Sequence, residues 1–423
     1  MKPAATIQTL SLFPDEVAAH IVPNPLPMQY LGGKGRLADW ILGTIQETFG
    51  GHESFIDLFA GSGAVSWNAA QSGFAVVAND LQPYSFAVLK SMLICKRDEL
   101  NRLQARIRSL SDETVLLSGA RSSAEQLLQT EDKLFKHASR DWQKYRSFCE
   151  HTPLVSDSRS LNELRQRREW NLFIQYYPNT YFGVRQCLTL DAIRELAELL
   201  DDNLKYHLLA STISVMTFAV SSTTHLAQYL KPTSKETTEN IIRKRSIDIA
   251  KEVGKRLEAL RQTELPARFA RVLNLVHTEA LHAVTLDRHT VVYVDPPYFK
   301  EHYSRYYHVL DTFLLYDYPD LTFNPRLSRV TVGRYRNVRL TSDFGLRSKA
   351  ADAFKRLFTQ CHDKGAAVAL SYASTSLISK EQIIEIANSV GYKVECRHQK
   401  LLHSGQGQPR HREVIEYLFL LGY

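Results

Sequence analysis

The chain has 423 residues, of which 44% are hydrophobic and 23% charged. These are ordinary globular values, which exclude disordered, collagen-like and coiled-coil classes. At 52 Lys+Arg against 45 Asp+Glu the net charge is +7, compatible with a polyanionic partner but too small to demand one.

Residues 1–27 read as an N-terminal arm. Pro14, Asp15 and Glu16 break any signal-peptide core, and Pro23, Pro25 and Pro27 make a stiff extended connector. A Gly-rich loop at 31–36 leads into apolar residues at helical spacing over 37–49, stopped by Gly50-Gly51. A short apolar run at 54–59, a glycine turn, a helix-compatible 64–72 and a second buried run at 74–78 ending at Asn79-Asp80 form one βαβ unit. Residues 84–171 are helical in pattern and mixed in charge, 176–182 form an aromatic loop, and 191–220 are again helical. The stretch 231–271 holds 11 Lys/Arg against 6 Asp/Glu. Strand character returns only at 271–276 and 291–294, followed by a helix at 351–357, a strand at 366–371, a helix at 381–390 and a last strand at 414–421.

This pattern predicts an α/β, Rossmann-like sheet with helices on both faces, interrupted by a largely helical inserted domain. The expected boundaries are 28–95 and 271–423 for the sheet domain and 96–270 for the insertion. The five cysteines, at 95, 149, 187, 361 and 396, include no C-x-x-C pair, so neither a disulfide framework nor a cysteine zinc site is expected, and a reducing cytoplasm fits. The apolar stretch 208–220 is interrupted by Ser211, Thr212, Ser214 and Thr217 and falls short of the ~18 apolar residues a spanning helix needs. His302, His308, His403 and His411 show no metal-ligand spacing, read as surface or base-stacking residues, and leave no metal expected.

The buried run 291–294 feeds directly into Asp295-Pro296-Pro297-Tyr298. This places a carboxylate and an aromatic ring at the carboxyl end of a strand, where open α/β sheets bind ligands. The arrangement suits an exocyclic amine, whose lone pair is delocalised into its ring until acceptors take its N–H bonds. Asp295 offers one acceptor and the Pro296 carbonyl a second, while Tyr298 can stack on the base. Asp57-Leu-Phe59-Ala-Gly61-Ser-Gly63 is a glycine loop made for close backbone approach to a nucleotide. Ser66 stands where a dinucleotide fingerprint needs its third glycine. Asp80 ends the next strand, at the place from which an acid grips ribose hydroxyls. Around Lys34 the upstream glycine and the following Ser/Thr of a phosphate loop are missing, which argues against a nucleoside triphosphate site.

In order and spacing these segments resemble the Dam-like family of adenine-specific DNA methyltransferases, which use S-adenosylmethionine. The resemblance rests on Tyr30-Leu-Gly-Gly-Lys34, on Asp57 to Gly63, on Asn79-Asp80 and on Asp295 to Tyr298, with a further likeness at 303–310. It implies that Tyr30 and Lys34 contact the methionine end of the cofactor, that Asp57, Phe59, Gly61 and Gly63 line it, and that Asp80 holds its ribose. It also implies that Asp295 to Tyr298 hold the flipped base. Thr278 and Glu279 are similar to a polar strand end near the cofactor adenine. The insertion stands where the family keeps its target-recognition domain. Methyl transfer from a sulfonium needs a positioned acceptor and no covalent enzyme intermediate, and the absence of a Pro-Cys pair excludes cytosine-C5 chemistry.

Between 326 and 347 lie six arginines and one acid with Tyr335 and Phe344 interleaved. Arg334, Arg336 and Arg339 are expected on DNA phosphates, as are Arg243, Lys244 and Arg245 in the insertion. The expected activity is site-specific methylation of adenine N6 in double-stranded DNA, in the cytoplasm at the nucleoid. The enzyme would be either an orphan or the modification half of a restriction system beside a cognate restriction endonuclease. Cytosine-N4 or RNA adenine methylation and a catalytically idle DNA-binding module are the alternatives.

Overall fold

A computed structural model describes residues 23–137, 141–223, 225–297, 303–326, 329–338, 340–404 and 411–423. Tyr298, His302 and Arg339 lie outside the described residues, as does most of the expected N-terminal arm.

The first βαβ unit forms as its sequence pattern predicts. Helix α1 (Ala38–Thr48) precedes strand β1 (Ser54–Asp57), helix α2 (Ala64–Gln71), strand β2 (Ala75–Asn79) and helix α3 (Pro83–Leu93). Pro83 opens α3, a position where its missing N–H costs nothing and its fixed φ suits the helix. Strands β3 (Ala270–Leu273) and β4 (Thr290–Val294) follow only after a long helical stretch. A two-residue-per-strand hairpin, β5 (Phe323–Asn324) and β6 (Arg329–Val330), stands apart from the sheet. Strands β7 (Ala367–Ala373), β8 (Lys393–Ser404) and β9 (His411–Gly422) complete it.

The seven-stranded sheet has the order β3-β2-β1-β4-β7-β9-β8. Its first five strands run parallel, and β9 pairs antiparallel with both β7 and β8. Side chains alternate between the two faces, and the core divides accordingly. Phe55, Val76, Val291, Tyr293, Ala369 and Leu418 join one apolar cluster; Ile56, Val292, Val294, Val368 and Phe419 join the other. Burial on both faces explains why β1, β2, β4 and β7 read as continuous apolar runs.

Strand β8 is an element that periodicity did not reveal. Its residues are mostly polar and it pairs on one side only, through the register Lys393↔Gly422 to Ser404↔His411. The expected strand at 271–276 ends at Leu273, and a short helix, His277–His282, takes over.

The long helical stretch shares its core with the sheet. Leu208, Ile213, Val253 and Leu257 belong to the same apolar cluster as Phe55 and Tyr293. The helix Asp202–Ala219 packs against α3, where Ser91 Oγ bonds His207 Nδ1 at 2.8 Å. The same helix receives the Gln29 amide on Thr217 Oγ1 at 3.2 Å. The aromatic loop at 176–182 is likewise interior: Tyr176, Tyr177, Tyr181 and Phe182 are fully buried. Among the described residues no helix is long and apolar enough to cross a membrane.

Candidate active site

The carboxyl ends of β1, β2 and β4 open onto a cleft of about 270 Å3. Its lining includes Tyr30, Lys34, Asp57, Phe59, Gly61, Asp80, Thr278, Asp295 and Pro297. Segments from the two sides of the long helical stretch thus meet in one place.

The loop after β1 carries the tightest geometry. Gly61 has φ +54° and Gly63 φ +77°, a left-handed region that favours glycine. A Cβ on Gly61 would stand 2.9 Å from the Tyr30 ring, and one on Gly63 2.5 Å from Met92. Tyr30 itself is held by stacking on Tyr307, with ring centroids 5.0 Å apart and planes 4° apart. Gly63 serves as the N-cap of α2 and lies outside the lining.

Two buried carboxyls flank this loop. Asp57 accepts a 2.6 Å bond from Ser66 Oγ, so the serine that replaces a fingerprint glycine has a use of its own. Its Oδ1 is buried with no hydrogen-bond partner among the described residues. Burial, above all, pushes the Asp57 carboxyl up to about 7. Asp80 takes the amides of Gly61 and Gln82, both at 2.8 Å. Burial raises it to about 6, against the pull of those two amides.

At the end of β4, Asp295 Oδ1 lies 2.9 Å from Lys34 Nζ. Burial lifts the Asp295 carboxyl to about 6; Lys34 opposes the shift and Glu416 adds to it. The same Lys34 ammonium stands 3.2 Å from Glu416 Oε1. Thr278 reaches the cleft, but Glu279 on the same short helix is exposed and outside the lining.

Sequence reasoning missed the far wall, which comes from residues 340–343, Gly345, His277 and Arg356. His277 packs on Phe59 and Phe344, and burial lowers it to about 4, so it stays neutral near pH 7. No motif spacing marks these residues.

The expected phosphate-gripping residues fare unevenly. Arg334 is buried, and its guanidinium donates to the Val155 carbonyl. Arg245 is 2% exposed and bonds Tyr145, Asn179 and the Thr180 carbonyl. Arg336 forms a two-pronged pair with Asp317 at 2.6 and 2.8 Å, and Lys244 donates to the Phe218 carbonyl. Arg334 and Arg245 are therefore corrected to core residues: burying a guanidinium calls for partners for its N–H groups, which Arg245 finds in these side chains and carbonyl, whereas Arg334 has the Val155 carbonyl but leaves its Nε–H without a partner among the described residues. Arg243 is exposed, and so are Arg326, Arg329 and Arg347 in the downstream basic stretch. His308, expected at the surface or on a base, is also interior and bonds the Arg305 carbonyl.

The chemistry of the cleft fits S-adenosylmethionine. Its carboxyls, Asp57, Asp80 and Asp295, suit a ligand with a ribose diol, an ammonium and a sulfonium. The glycine at 61 leaves room that a Cβ would take, the unsatisfied Asp57 Oδ1 offers an acceptor, and Tyr30 and Phe59 supply ring faces for cationic and aromatic groups.

The model of the D12 class N6 adenine-specific DNA methyltransferases matches residues 30–370. The type II methyltransferase M.NlaIII of Neisseria lactamica is 22% identical over 408 residues, covering 93% of this chain and 99% of that protein. M.FokI of Planomicrobium okeanokoites is 28% identical over 138 residues, 31% of this chain and 19% of that protein. M.CviAII of Paramecium bursaria Chlorella virus 1 is 29% identical over 91 residues, 21% of this chain and 28% of that protein. The matches to M.FokI and M.CviAII thus span under a third of each relative's length, whereas the family model takes in the cleft from Tyr30 to the end of β4 and on into β7. The chain belongs to the D12 class of N6 adenine-specific DNA methyltransferases.

Proposed function

We propose that the protein transfers a methyl group from S-adenosylmethionine to N6 of an adenine turned out of double-stranded DNA. The observation that carries this reading is that Asp295, at the end of β4, faces the same cleft as the glycine loop and Asp80. When bound, the cofactor supplies an electrophilic methyl group on its sulfonium. Asp80 and the Gly61 backbone bind its ribose side, and Asp57 and Tyr30 bind nearer the methionine end. Asp295 accepts one N–H of the exocyclic amine and the Pro296 carbonyl the other, which frees the nitrogen lone pair for attack. Tyr298 completes this set by stacking on the base.

The likeness to type II methyltransferases supports a place in a restriction-modification system, beside a cognate endonuclease, with the protein held at the nucleoid by its substrate. Site choice is assigned to residues 96–270. Within that stretch the readers belong to the helices at 100–167 and 235–245, which present exposed residues such as Arg102, Arg106 and Arg243, whereas the helix Asp202–Ala219 and the aromatic loop are largely buried. Titrating S-adenosylmethionine into the protein separates this reading from an idle DNA-binding module: saturable binding that Asp80→Ala weakens supports it, and no binding refutes it.

A further inference from the structure

Four polar residues run diagonally across one face of the sheet: Asp57 is level with Tyr293, and Glu416 with Ala373, two residues beyond Ser371. Asp57, Asp295, Ser371 and Glu416 belong to adjacent strands, or strand ends, in the order β1, β4, β7, β9. Each continues the face occupied by Phe55, Tyr293, Ala369 and Leu418, two residues along in its own strand. On that face the alternation calls for apolar side chains, and Glu416 breaks it while only 3% exposed. Its carboxylate accepts from Ser371 Oγ at 2.8 Å and from Lys34 Nζ at 3.2 Å. Lys34 is 5% exposed and simultaneously pairs with Asp295 at 2.9 Å.

A buried carboxylate persists only when paired and hydrogen-bonded. Here one ammonium serves two carboxylates, so each weakens its hold on the other. We propose that Glu416 is a positioning residue for methyl transfer: anchored by Ser371, it draws Lys34 partly away from Asp295 and leaves Asp295 able to accept the amine N–H of the base. The inference rests on the function proposed above and deepens it. Asp295 is faced by Lys34 from the N-terminal loop, Asp57 on β1, Tyr293 on its own strand and Glu416 on β9. Across the ladders Glu416 stands opposite Ala373 and Gln399, neither of which ionises. Without Glu416, the ammonium, already 2.9 Å from Asp295 Oδ1, would pair with Asp295 alone and compete more strongly with the substrate amine for that carboxylate.

The test is the pH profile of kcat for the full chain with S-adenosylmethionine and target DNA, comparing wild type, Glu416→Gln and Ser371→Ala. In Glu416→Gln the plateau should fall roughly ten- to a hundredfold. Its acid limb should move to lower pH by on the order of one unit, because a neighbouring negative charge is gone and Lys34 holds Asp295 more firmly. A residue that only fills space would lower kcat without moving the limb, and an unmoved limb overturns the inference. If Glu416→Gln does not fold, Ser371→Ala, which keeps every charge, should lower kcat while the KM for the cofactor stays within a few fold; unchanged kcat then overturns it. A wild-type protein without methyl transfer refutes the underlying function and the inference together. An active wild type whose variants keep kcat and limb refutes the inference alone.

Discussion

The Gly61 amide donates to Asp80 Oδ2 at 2.8 Å, tying the loop after β1 to the end of β2. With the Gln82 amide on its other oxygen, the Asp80 carboxylate is fixed in orientation before any ligand arrives. Asp80→Ala removes that acceptor and leaves two buried amides unsatisfied. Cofactor binding should weaken by about 1–3 kcal/mol, read by calorimetric titration. An unchanged dissociation constant would remove Asp80 from the cofactor site.

Gly61 meets the Tyr30 ring so closely that a methyl group has nowhere to go. Tyr30 cannot retreat, since it is stacked on the buried Tyr307. Gly61→Ala also forces a side chain into a left-handed backbone conformation, at a cost of about 1–2 kcal/mol. Both terms predict a lower urea midpoint and weaker cofactor binding. Gly73→Ala, at φ +90° with open space around it, should carry the backbone cost while leaving the cofactor affinity intact.

For Asp295 the ionised form is the one that accepts an amine N–H. Its carboxyl is raised to about 6, chiefly by burial. Turnover should therefore be level above about pH 7 and fall about tenfold per unit below pH 6 as the carboxyl protonates. Asp295→Ala should abolish methyl transfer while cofactor affinity changes by only a few fold. Equal loss of both would make position 295 a structural residue.

Arginines divide by burial into two classes with opposite behaviour. Arg245→Ala strands the Thr180 carbonyl, Asn179 and Tyr145 in the interior and should cost about 1–3 kcal/mol of stability for each partner left unsatisfied, with the salt dependence of DNA binding unchanged in whatever remains folded. Arg329→Gln, on the exposed hairpin strand β6, should do the reverse: full stability, and a salt slope smaller by about one. Binding isotherms at several salt concentrations, set beside urea melts, distinguish the two.

The βαβ unit and the Asp295 corner were legible because their chemistry is local: apolar runs, glycines at a turn and prolines at a strand end. The family likeness located the ends of one cleft for the same reason. Strand β8 was not legible, since a polar edge strand has no periodic apolar signal, and its register is set by β9. Arg334 and Arg245 look in sequence like any exposed basic residues, and only the fold brings carbonyls to their guanidinium groups. Glu416 is 121 positions from Asp295 in the chain, and Lys34, which joins them, is 261 positions from Asp295; no spacing rule connects such a trio.

The most direct test of the central claim is nucleoside analysis of double-stranded DNA incubated with the purified protein and S-adenosylmethionine carrying a labelled methyl group. Label is expected in N6-methyladenine alone, dependent on Asp295. Label in N4-methylcytosine, or DNA left unlabelled while the cofactor binds, would contradict it.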